Sequence, residues 1–348
     1  LRTRRMFHVN DRFAPWLAKR IMANRIAESI THTTGKIVDH LWGKQTAGML
    51  HEVRTQLEGI QVDRLRVKPL VKVTGEFFAQ TTEGDGNFNM FRFLEKEGAQ
   101  ALVEPIGTWI MYMIHQAKQK IKDERGIDLV ETGVTKWNLP KVLKSHLSVQ
   151  QKVATLTFAE TVFKREYHKL IDALGGMAHH LTDQYELQRL GHPFYNSRAG
   201  GGEGHLEVAK NIYYSNKDLC HMVLSLKPFG CMPSTQSDGA QSAVVSQYKD
   251  MIFLPVETSG EGDVNAHSRV QMALGEAKVR AKNEIKAVLE QTGTTLDEVR
   301  AFVEDHPEMQ RPMYKFGHRQ GVVGTAANFV LHAAERMKAE RRATVTVN

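Results

Sequence analysis

Four short apolar segments alternate with helix-forming segments along the chain, and this alternation limits the fold more than any other feature. The first segment lies in "RVKPLVKVTGEFF", where the apolar run stops at Gly75, and the second is "ALVEPIG". Between them, "NFNMFRFLEKEGAQ" has the composition of a helix that ends at Gly98. Residues 69–107 therefore predict a strand, a helix and a second strand, which is the repeating unit of a parallel sheet.

The same pattern resumes after a long helical stretch. "CHMVLSL" and "MIFLPVE" predict two further strands, with a helix over 234–248 between them and a long helix over 266–291 after them. Residues 110–190 are too long for a single crossover and predict an inserted helical layer. We therefore expect an α/β fold of the flavodoxin or Rossmann-like type, with a mainly parallel sheet.

The predicted organisation has three parts. Residues 1–66 form a helical lead-in that ends a preceding region, residues 67–292 form the α/β domain with its insertion at about 110–190, and residues 293–348 form a helical C-terminal tail. The chain starts with Leu1, and "LRTRRMFHVNDRFAPW" resembles the middle of a polypeptide. We therefore expect the chain to be a piece of a longer protein.

Composition and charge narrow the classes of partner. The chain has 348 residues, 41% of them hydrophobic, and a formal net charge of +7, which is compatible with an anionic partner such as coenzyme A or an acidic subunit. It has no basic module with interleaved aromatic residues and no zinc finger, so we expect no nucleic-acid partner. It also has no signal peptide and no run of about 18 apolar residues, which predicts a cytoplasmic protein without membrane association.

Polar loops follow the predicted strands, and ligands of open parallel sheets bind at the carboxyl ends of the strands. The loop "TGEFFAQTTEGDGN" follows the first strand and "ETSGEGDVNAHSR" follows the fourth. Their carboxylates could transfer protons, and an arginine could bind a carboxylate or a phosphate. The alternative is that these side chains only make loop and helix-cap hydrogen bonds. The candidate catalytic residues are Glu76, Glu257, Glu261 and His267, and the candidate substrate-binding residues are Gln80, Thr81, Asp85, Asn87, Ser259 and Arg269.

The glycine-rich segment "RAGGGEGH" precedes a predicted helix. The backbone amides of Gly200, Gly201 and Gly202 could hold a phosphate at the N-terminus of that helix. The segment has no Gly-Lys-Ser/Thr and therefore is not a Walker A loop. A flexible connector is the alternative interpretation.

The two cysteines flank the third predicted strand. Cys220 comes just before this strand and Cys231 just after it. Roughly eight extended residues place the thiols about 25 Å apart, whereas a disulfide needs Cα atoms within about 7 Å. We therefore expect neither a disulfide nor a metal centre shared by the two, and a buried, ordinary thiol at Cys220. Cys231 is either a nucleophile with His267 as its partner or a metal ligand.

Three long segments resemble a known superfamily. "KVTGEFFAQTTEGDGNFNMFRFLEKEGA", "KPFGCMPSTQSDG" and "LPVETSGEGDVNAHSRVQMALGEA", in this order, are similar to the 2-hydroxyacyl-CoA dehydratase and benzoyl-CoA reductase superfamily. The nearest likeness is to its activase-related branch, the CoA-substrate-specific enzyme activases, in which ATPase modules are joined to a dehydratase-like half. The resemblance covers roughly residues 67–280.

The resemblance implies a cofactor and a partner. Dehydratase-like subunits have flavodoxin-like domains and hold an iron–sulfur cluster, either [4Fe-4S] or double-cubane, and a partner ATPase delivers low-potential electrons by hydrolysing ATP. Cys231 matches the cysteine of the family segment "PFGCMP" and is the implied metal ligand. The loop "VEPIGTW" lacks the cysteine that dehydratase subunits carry there. The other cluster ligands, and ATP hydrolysis, are therefore expected outside this chain.

Three functional hypotheses follow. The first is a cluster-holding, dehydratase-like component of an ATP-dependent low-potential reductase or 2-hydroxyacyl-CoA dehydratase-type system. We would then expect an ATPase activase module as its partner, an acyl-CoA as its ligand and an oligomeric assembly. Its reaction would be that of a lyase or of a reductase component. The second is a non-catalytic scaffold or regulatory domain of the same fold. The third is a thiol enzyme that uses Cys231 and His267.

Overall fold

The computed structural model describes residues 35, 45–125, 127, 138–177, 179–259 and 262–347. The chain divides into two compact units, one of Leu1–Leu57 with Phe163–Ala178 and one of Glu58–Val162 with His179–Asn348. The described part of the first unit includes helix α1 (Gln45–Leu57). Most of the predicted helical lead-in, residues 1–34 and 36–44, lies outside the described residues.

The second unit contains a four-stranded sheet in which every neighbouring pair of strands is parallel. The strands are β1 (Leu70–Gly75), β2 (Gln100–Val103), β3 (Met222–Pro228) and β4 (Phe253–Thr258), in the order β2-β1-β3-β4. This confirms the predicted α/β fold with a mainly parallel sheet. Since the strands are parallel, their carboxyl ends all lie at one edge, which is where the candidate site residues were expected.

Helices connect and cover the strands. Most of the described part of the predicted insertion is helical, and so is most of the predicted tail. The boundaries after residues 66 and 292 stay predictions. No described helix has both the length and the apolar character needed to cross a membrane. The helices are α2 (Phe77–Thr81), α3 (Met90–Lys96), α4 (Ile106–Asp123), α5 (Leu139–Ala173), α6 (Gln184–Gly191), α7 (Gly204–Asn216), α8 (Met232–Gln247), α9 (Asp263–Thr292), α10 (Leu296–Asp305) and α11 (Thr325–Val347).

One face of the sheet is apolar. Successive side chains of a strand point to opposite faces, so Val71 and Val73 of β1 share a face with Leu224 and Leu226 of β3. These residues form a single core cluster with apolar side chains of α3 and α9. Most of the free energy that holds α3 and α9 on the sheet therefore comes from burial of apolar surface.

The opposite face carries four polar side chains beside Leu70 and Val223 and is equally buried. Its residues alternate with the apolar ones along β1 and β3, and helix α7 covers them. The hydroxyl of Thr74 donates to Asn211 Oδ1 across this contact at 3.0 Å. We call the following buried residues the polar layer: Lys72, Thr74, Ser225 and Lys227 of the sheet, with Glu207, Lys210 and Asn211 of α7.

A second apolar cluster holds the C-terminal helices. Ile285 of α9, Val299 of α10 and Val330 of α11 pack together in it. Helix α9 ends at Gly293, whose φ of +66° lies in the left-handed region that favours glycine. A capping box between Thr295 and Glu298 then starts α10. The tail is thus a packed helical layer built on the end of α9.

Strands β1 and β3 approach closely at the carboxyl edge of the sheet. Gly75 ends β1 with a φ of +110°. A Cβ atom at Gly75 would lie 1.9 Å from the carbonyl oxygen of Leu226. That oxygen also accepts a hydrogen bond from the amide of Glu76 at 2.8 Å. A side chain at position 75 would therefore separate the two strands beside the candidate site.

We expect Gly75→Ala to lower the free energy of unfolding by at least about 3 kcal/mol, because it adds backbone strain to a clash with main-chain atoms. Urea denaturation measures this change. Gly275→Ala in α9 is the matched control, since a Cβ there meets no atom within 4 Å; it should be neutral or stabilising by up to about 1 kcal/mol. Equal stability of the two variants would contradict the close approach.

Candidate functional site

Cys231 lies at the carboxyl edge of the sheet, between β3 and α8. It is the N-cap residue of α8 and its side chain does not cap the helix. Its amide donates to Pro228 O at 3.3 Å and its carbonyl accepts from the amide of Thr235, so the backbone on both sides is fixed. The side chain is neither fully buried nor fully exposed. The thiol is therefore held at the edge where ligands of such sheets bind.

Cys220 lies at the opposite end of β3. It is buried, and burial raises the pKa of its thiol to about 12, although the positive charge of Lys72 opposes this. Both cysteines are free, as the sequence predicts. A buried thiol with a raised pKa is chemically inert, so Cys220 is a packing residue and a suitable control for Cys231.

The glycine-rich segment before α7 packs against the segment that follows Cys231. A Cβ atom at Gly202 would lie 2.5 Å from the ring of Pro233, and one at Gly204 would lie 2.7 Å from the carbonyl oxygen of Pro233. Gly202 has a φ of +136°. The absence of side chains here lets the first turns of α7 and α8 come together. A phosphate-binding role of Gly200, Gly201 and Gly202 stays a prediction.

Glu203, which sequence reasoning missed, is buried at the N-cap position of α7. Its Oε1 accepts a hydrogen bond from the amide of Phe77 at 2.5 Å, and its Oε2 has no hydrogen-bond partner among the described residues. Burial raises the pKa of this carboxyl group to about 7, against the opposing effects of the Phe77 amide and Lys210. Glu203 thus ties the loop after β1 to α7.

Lys72 of the polar layer forms a buried ion pair with Glu104, which follows β2. Lys72 Nζ lies 2.6 Å from Glu104 Oε2 and 4.0 Å from the ring centre of Tyr214. Glu104 also accepts from the hydroxyls of Tyr214 at 2.7 Å and Thr108 at 2.8 Å. Burial would raise the pKa of Glu104, but Lys72 and Lys210 outweigh it and lower the pKa to about 2. The carboxylate is therefore charged at neutral pH.

A second polar group lies beneath α8, nearer to Cys231. Glu207 accepts from the hydroxyl of Ser234 at 2.7 Å and from that of Ser237. The buried Lys227 forms an ion pair with Asp238. Burial raises the pKa of Glu207, and the two hydroxyl donors oppose this rise. These bonds fix the first two turns of α8 on β3 and α7, and they hold Cys231 in place.

Lys210 of α7 has no direct partner among the described residues and is 1% exposed. Its charge contributes to the lowered pKa of Glu104 and opposes the rise that burial causes in the pKa of Glu203 and Glu207. Lys210 therefore offsets part of the negative charge of these carboxylates, since a buried charge is tolerated only near opposite charge.

The predicted site residues of the loop after β1 bond mainly within that loop. Glu76 caps α2 by accepting from the amides of Phe78 and Ala79, and Asp85 begins a 3-10 helix. The catalytic and substrate-binding roles of these residues stay predictions. The remaining bonds are Gln80 Nε2 to Gly75 O, Thr81 Oγ1 to Phe77 O, and Asn87 Nδ2 to Ala79 O and Thr82 O.

The predicted site residues after β4 line a pocket of about 290 Å³. The structure brings Glu257, Ser259 and Arg269 together there, with Phe88 and Asp238, which sequence reasoning did not single out. Arg269 donates to the carbonyl oxygen of Pro255 at 2.9 Å. Glu261 lies outside the described residues. The fourth loop, which follows β4, thus lines a concave site. The first loop, which follows β1, reaches this site through Phe88.

His267 contacts the loop that follows β1. Its Nε2 lies 2.8 Å from the carbonyl oxygen of Phe88, and its ring stacks on Phe93 with 4.1 Å between the ring centres. No hydrogen bond joins His267 to the described side chain of Cys231. The first and fourth loops are therefore adjacent, as expected for a common edge, but a Cys231–His267 dyad is not formed.

The described residues offer one accessible cysteine side chain, Cys231, for a metal centre. They contain no group of three or more His, Cys, Asp or Glu side chains placed to hold a metal ion. An iron–sulfur cluster usually needs several cysteine ligands. Cys231 fits as one ligand of a cluster shared with another polypeptide, and the described part of the chain does not fit a complete cluster site.

No family model, no curated protein and no solved structure matches this chain. What the site can bind or catalyse must therefore be inferred from its own residues and tested directly.

Replacing Glu203 should change the pH dependence of stability. Its pKa is higher in the folded protein, about 7, than the ordinary value of 4.5. Its contribution to stability is therefore fully present below pH 4.5 and is lost as the pH rises through 7. Over this range the free energy of unfolding of the wild type should fall by an amount on the order of 3 kcal/mol. We expect Glu203→Gln not to show this fall, because glutamine keeps the acceptor for the Phe77 amide without a charge.

The measurement is denaturant unfolding of both proteins at a series of pH values from 4 to about 8, a range that brackets both pKa values. Glu290→Gln is the control, since Glu290 is an exposed carboxylate on α9. It should leave the pH dependence unchanged. Parallel curves for the wild type and Glu203→Gln would contradict a buried, protonated Glu203.

Proposed function

We propose that this chain is the cluster-holding, dehydratase-like component of an ATP-dependent low-potential reductase or 2-hydroxyacyl-CoA dehydratase-type system, with Cys231 as one thiolate ligand of an iron–sulfur cluster. The observation that supports this most is the contrast between the two cysteines. Cys231 is accessible at the carboxyl edge of a parallel sheet, and Cys220 is buried at the opposite end of the same strand.

The surroundings of Cys231 suit a thiolate ligand. A thiolate is a soft ligand, and iron in clusters is bound by such ligands. The thiol sits at the N-terminus of α8, a helix of 16 residues whose N-cap side chain makes no capping bond. Amide groups and the helix dipole favour negative charge there. Pro233 in the first turn and the adjacent Gly202 restrict the direction of this segment.

The remaining ligands would come from another polypeptide or from a further part of a longer protein. The resemblance to the activase-related branch implies an ATPase partner that delivers electrons of low potential, and a bound cluster would accept them. Within this chain, the polar layer holds the segment around Cys231 in a fixed position. A cluster shared between polypeptides also accounts for a single accessible thiol in the described residues.

Iron analysis and electron paramagnetic resonance spectroscopy test this proposal. The protein would be purified anaerobically as the complete native polypeptide, with any subunits that remain bound. We expect iron and a cluster signal in the wild type, loss of most of both in Cys231→Ala, and nearly unchanged values in Cys220→Ala. Circular dichroism checks that both variants are folded.

Two results would count against the proposal. Wild-type protein without iron would exclude a cluster under these conditions. Equal iron in the wild type and in Cys231→Ala would show that Cys231 is not a ligand. Either result would favour the scaffold or regulatory hypothesis, in which the fold is kept without the redox chemistry.

A further inference from the structure

The pocket at the carboxyl end of β4 contains two opposite charges that do not pair. Arg269 and Glu257 both line it. Among the described residues, Arg269 bonds only the carbonyl oxygen of Pro255, and Glu257 forms no ion pair. Both side chains are exposed, so each charged group is accessible to a ligand that carries two charged ends.

The third ionisable group of the pocket is Asp238, a carboxylate whose charge is balanced by a buried lysine. Asp238 lines the pocket and forms an ion pair with the buried Lys227. A carboxylate has two oxygens that together accept several hydrogen bonds. Asp238 can therefore bind Lys227 and still accept from a ligand. With Arg269 and Glu257 of opposite sign, the formal charge of these four side chains is zero.

Uncharged polar groups complete the lining. Ser259 and Asn265 line the same pocket as Arg269 and offer side-chain donors and acceptors. Gly262, the N-cap residue of α9, has a φ of +93° and provides no side-chain cap for the first amides of this helix of 30 residues. The lining therefore offers donors in addition to Arg269, and the carboxylates of Glu257 and Asp238 offer acceptors in the same pocket.

We propose that this pocket binds a small zwitterion of the α-amino acid class. Its carboxylate would meet Arg269, and its ammonium group would meet Glu257 and Asp238. A doubly charged anion such as a phosphate monoester is disfavoured by the two carboxylates. The volume of about 290 Å³ lies at the small end of ligand pockets, which limits the ligand to a compact molecule. The inference needs no cluster at Cys231.

Isothermal titration calorimetry on the purified chain tests this assignment with the common L-amino acids as probes. The tightest binder is then compared with two analogues, one that lacks the amino group and one that lacks the carboxylate. We expect each analogue to bind at least about tenfold more weakly, because a charge-assisted hydrogen bond is lost.

Substitutions assign the two ends of the ligand. Arg269→Gln and Glu257→Gln should each weaken binding about tenfold or more. The matched controls are Arg280→Gln and Glu290→Gln on α9. Arg280 pairs with Glu276, and Glu290 lies 4.0 Å from Lys286. Both controls should bind the ligand as the wild type does. Arg269→Lys, which keeps the charge, should retain part of the affinity.

Three outcomes would overturn the proposal. The first is that no amino acid binds at millimolar concentration. The second is that an analogue with only one charged end binds as tightly as the zwitterion. The third is unchanged affinity in Arg269→Gln or Glu257→Gln.

Thermal unfolding with and without the ligand gives a second measurement, since binding to the folded state raises the Tm of the wild type and should not raise that of a variant unable to bind.

Discussion

The buried ion pair between Lys72 and Glu104 is the constraint on which the rest of the structure depends. Lys72 lies in the centre of β1, and its charge is satisfied by Glu104 at 2.6 Å. Removing one partner of a buried pair typically costs about 3–5 kcal/mol, because the other charge is left without compensation. The face of the sheet that carries Lys72 must therefore be covered by polar groups, and an apolar helix could not replace α7.

The polar cover determines where the functional segments lie. Helix α7 matches the sheet with Glu207, Lys210 and Asn211, and Glu207 in turn accepts from two serines of α8. This places the first turns of α7 and α8 together, with Pro233 against the glycines of the preceding loop. Cys231 and the neighbouring pocket are thus supported by hydrogen bonds and ion pairs on one side of the sheet. The apolar cluster on the other side supplies stability.

The sheet could be predicted from sequence, and the polar layer could not. Apolar runs that end in glycine or polar loops identified all four strands, because burial of a strand on both faces usually leaves this signal. Nothing in "LVKV" or "VLSLKP" indicates that Lys72 and Lys227 are buried. The partners of Lys72 come from separate segments: Glu104 and Tyr214, which bond each other, are 110 residues apart. Local patterns carry no information on such pairs.

The candidate site, too, could be predicted from the sequence only in part. Glu257, Ser259 and Arg269 could be selected because they follow a strand in one polar loop, and the structure places them in one pocket. Asp238 and Phe88 could not, since their positions depend on how α8 and the first loop pack. Gln80 and Asn87 were selected on the same polar character. In the structure their side chains donate to backbone carbonyl oxygens of their own segment, and their substrate-binding role stays a prediction.

Anomalous diffraction at the iron absorption edge would test the role of Cys231 most directly. The crystals would contain the complete native protein, purified and frozen without oxygen. The account predicts iron peaks in bonding contact with Cys231 Sγ, with further protein ligands from outside the residues described here. Iron peaks bound elsewhere, with Cys231 Sγ free, would contradict it.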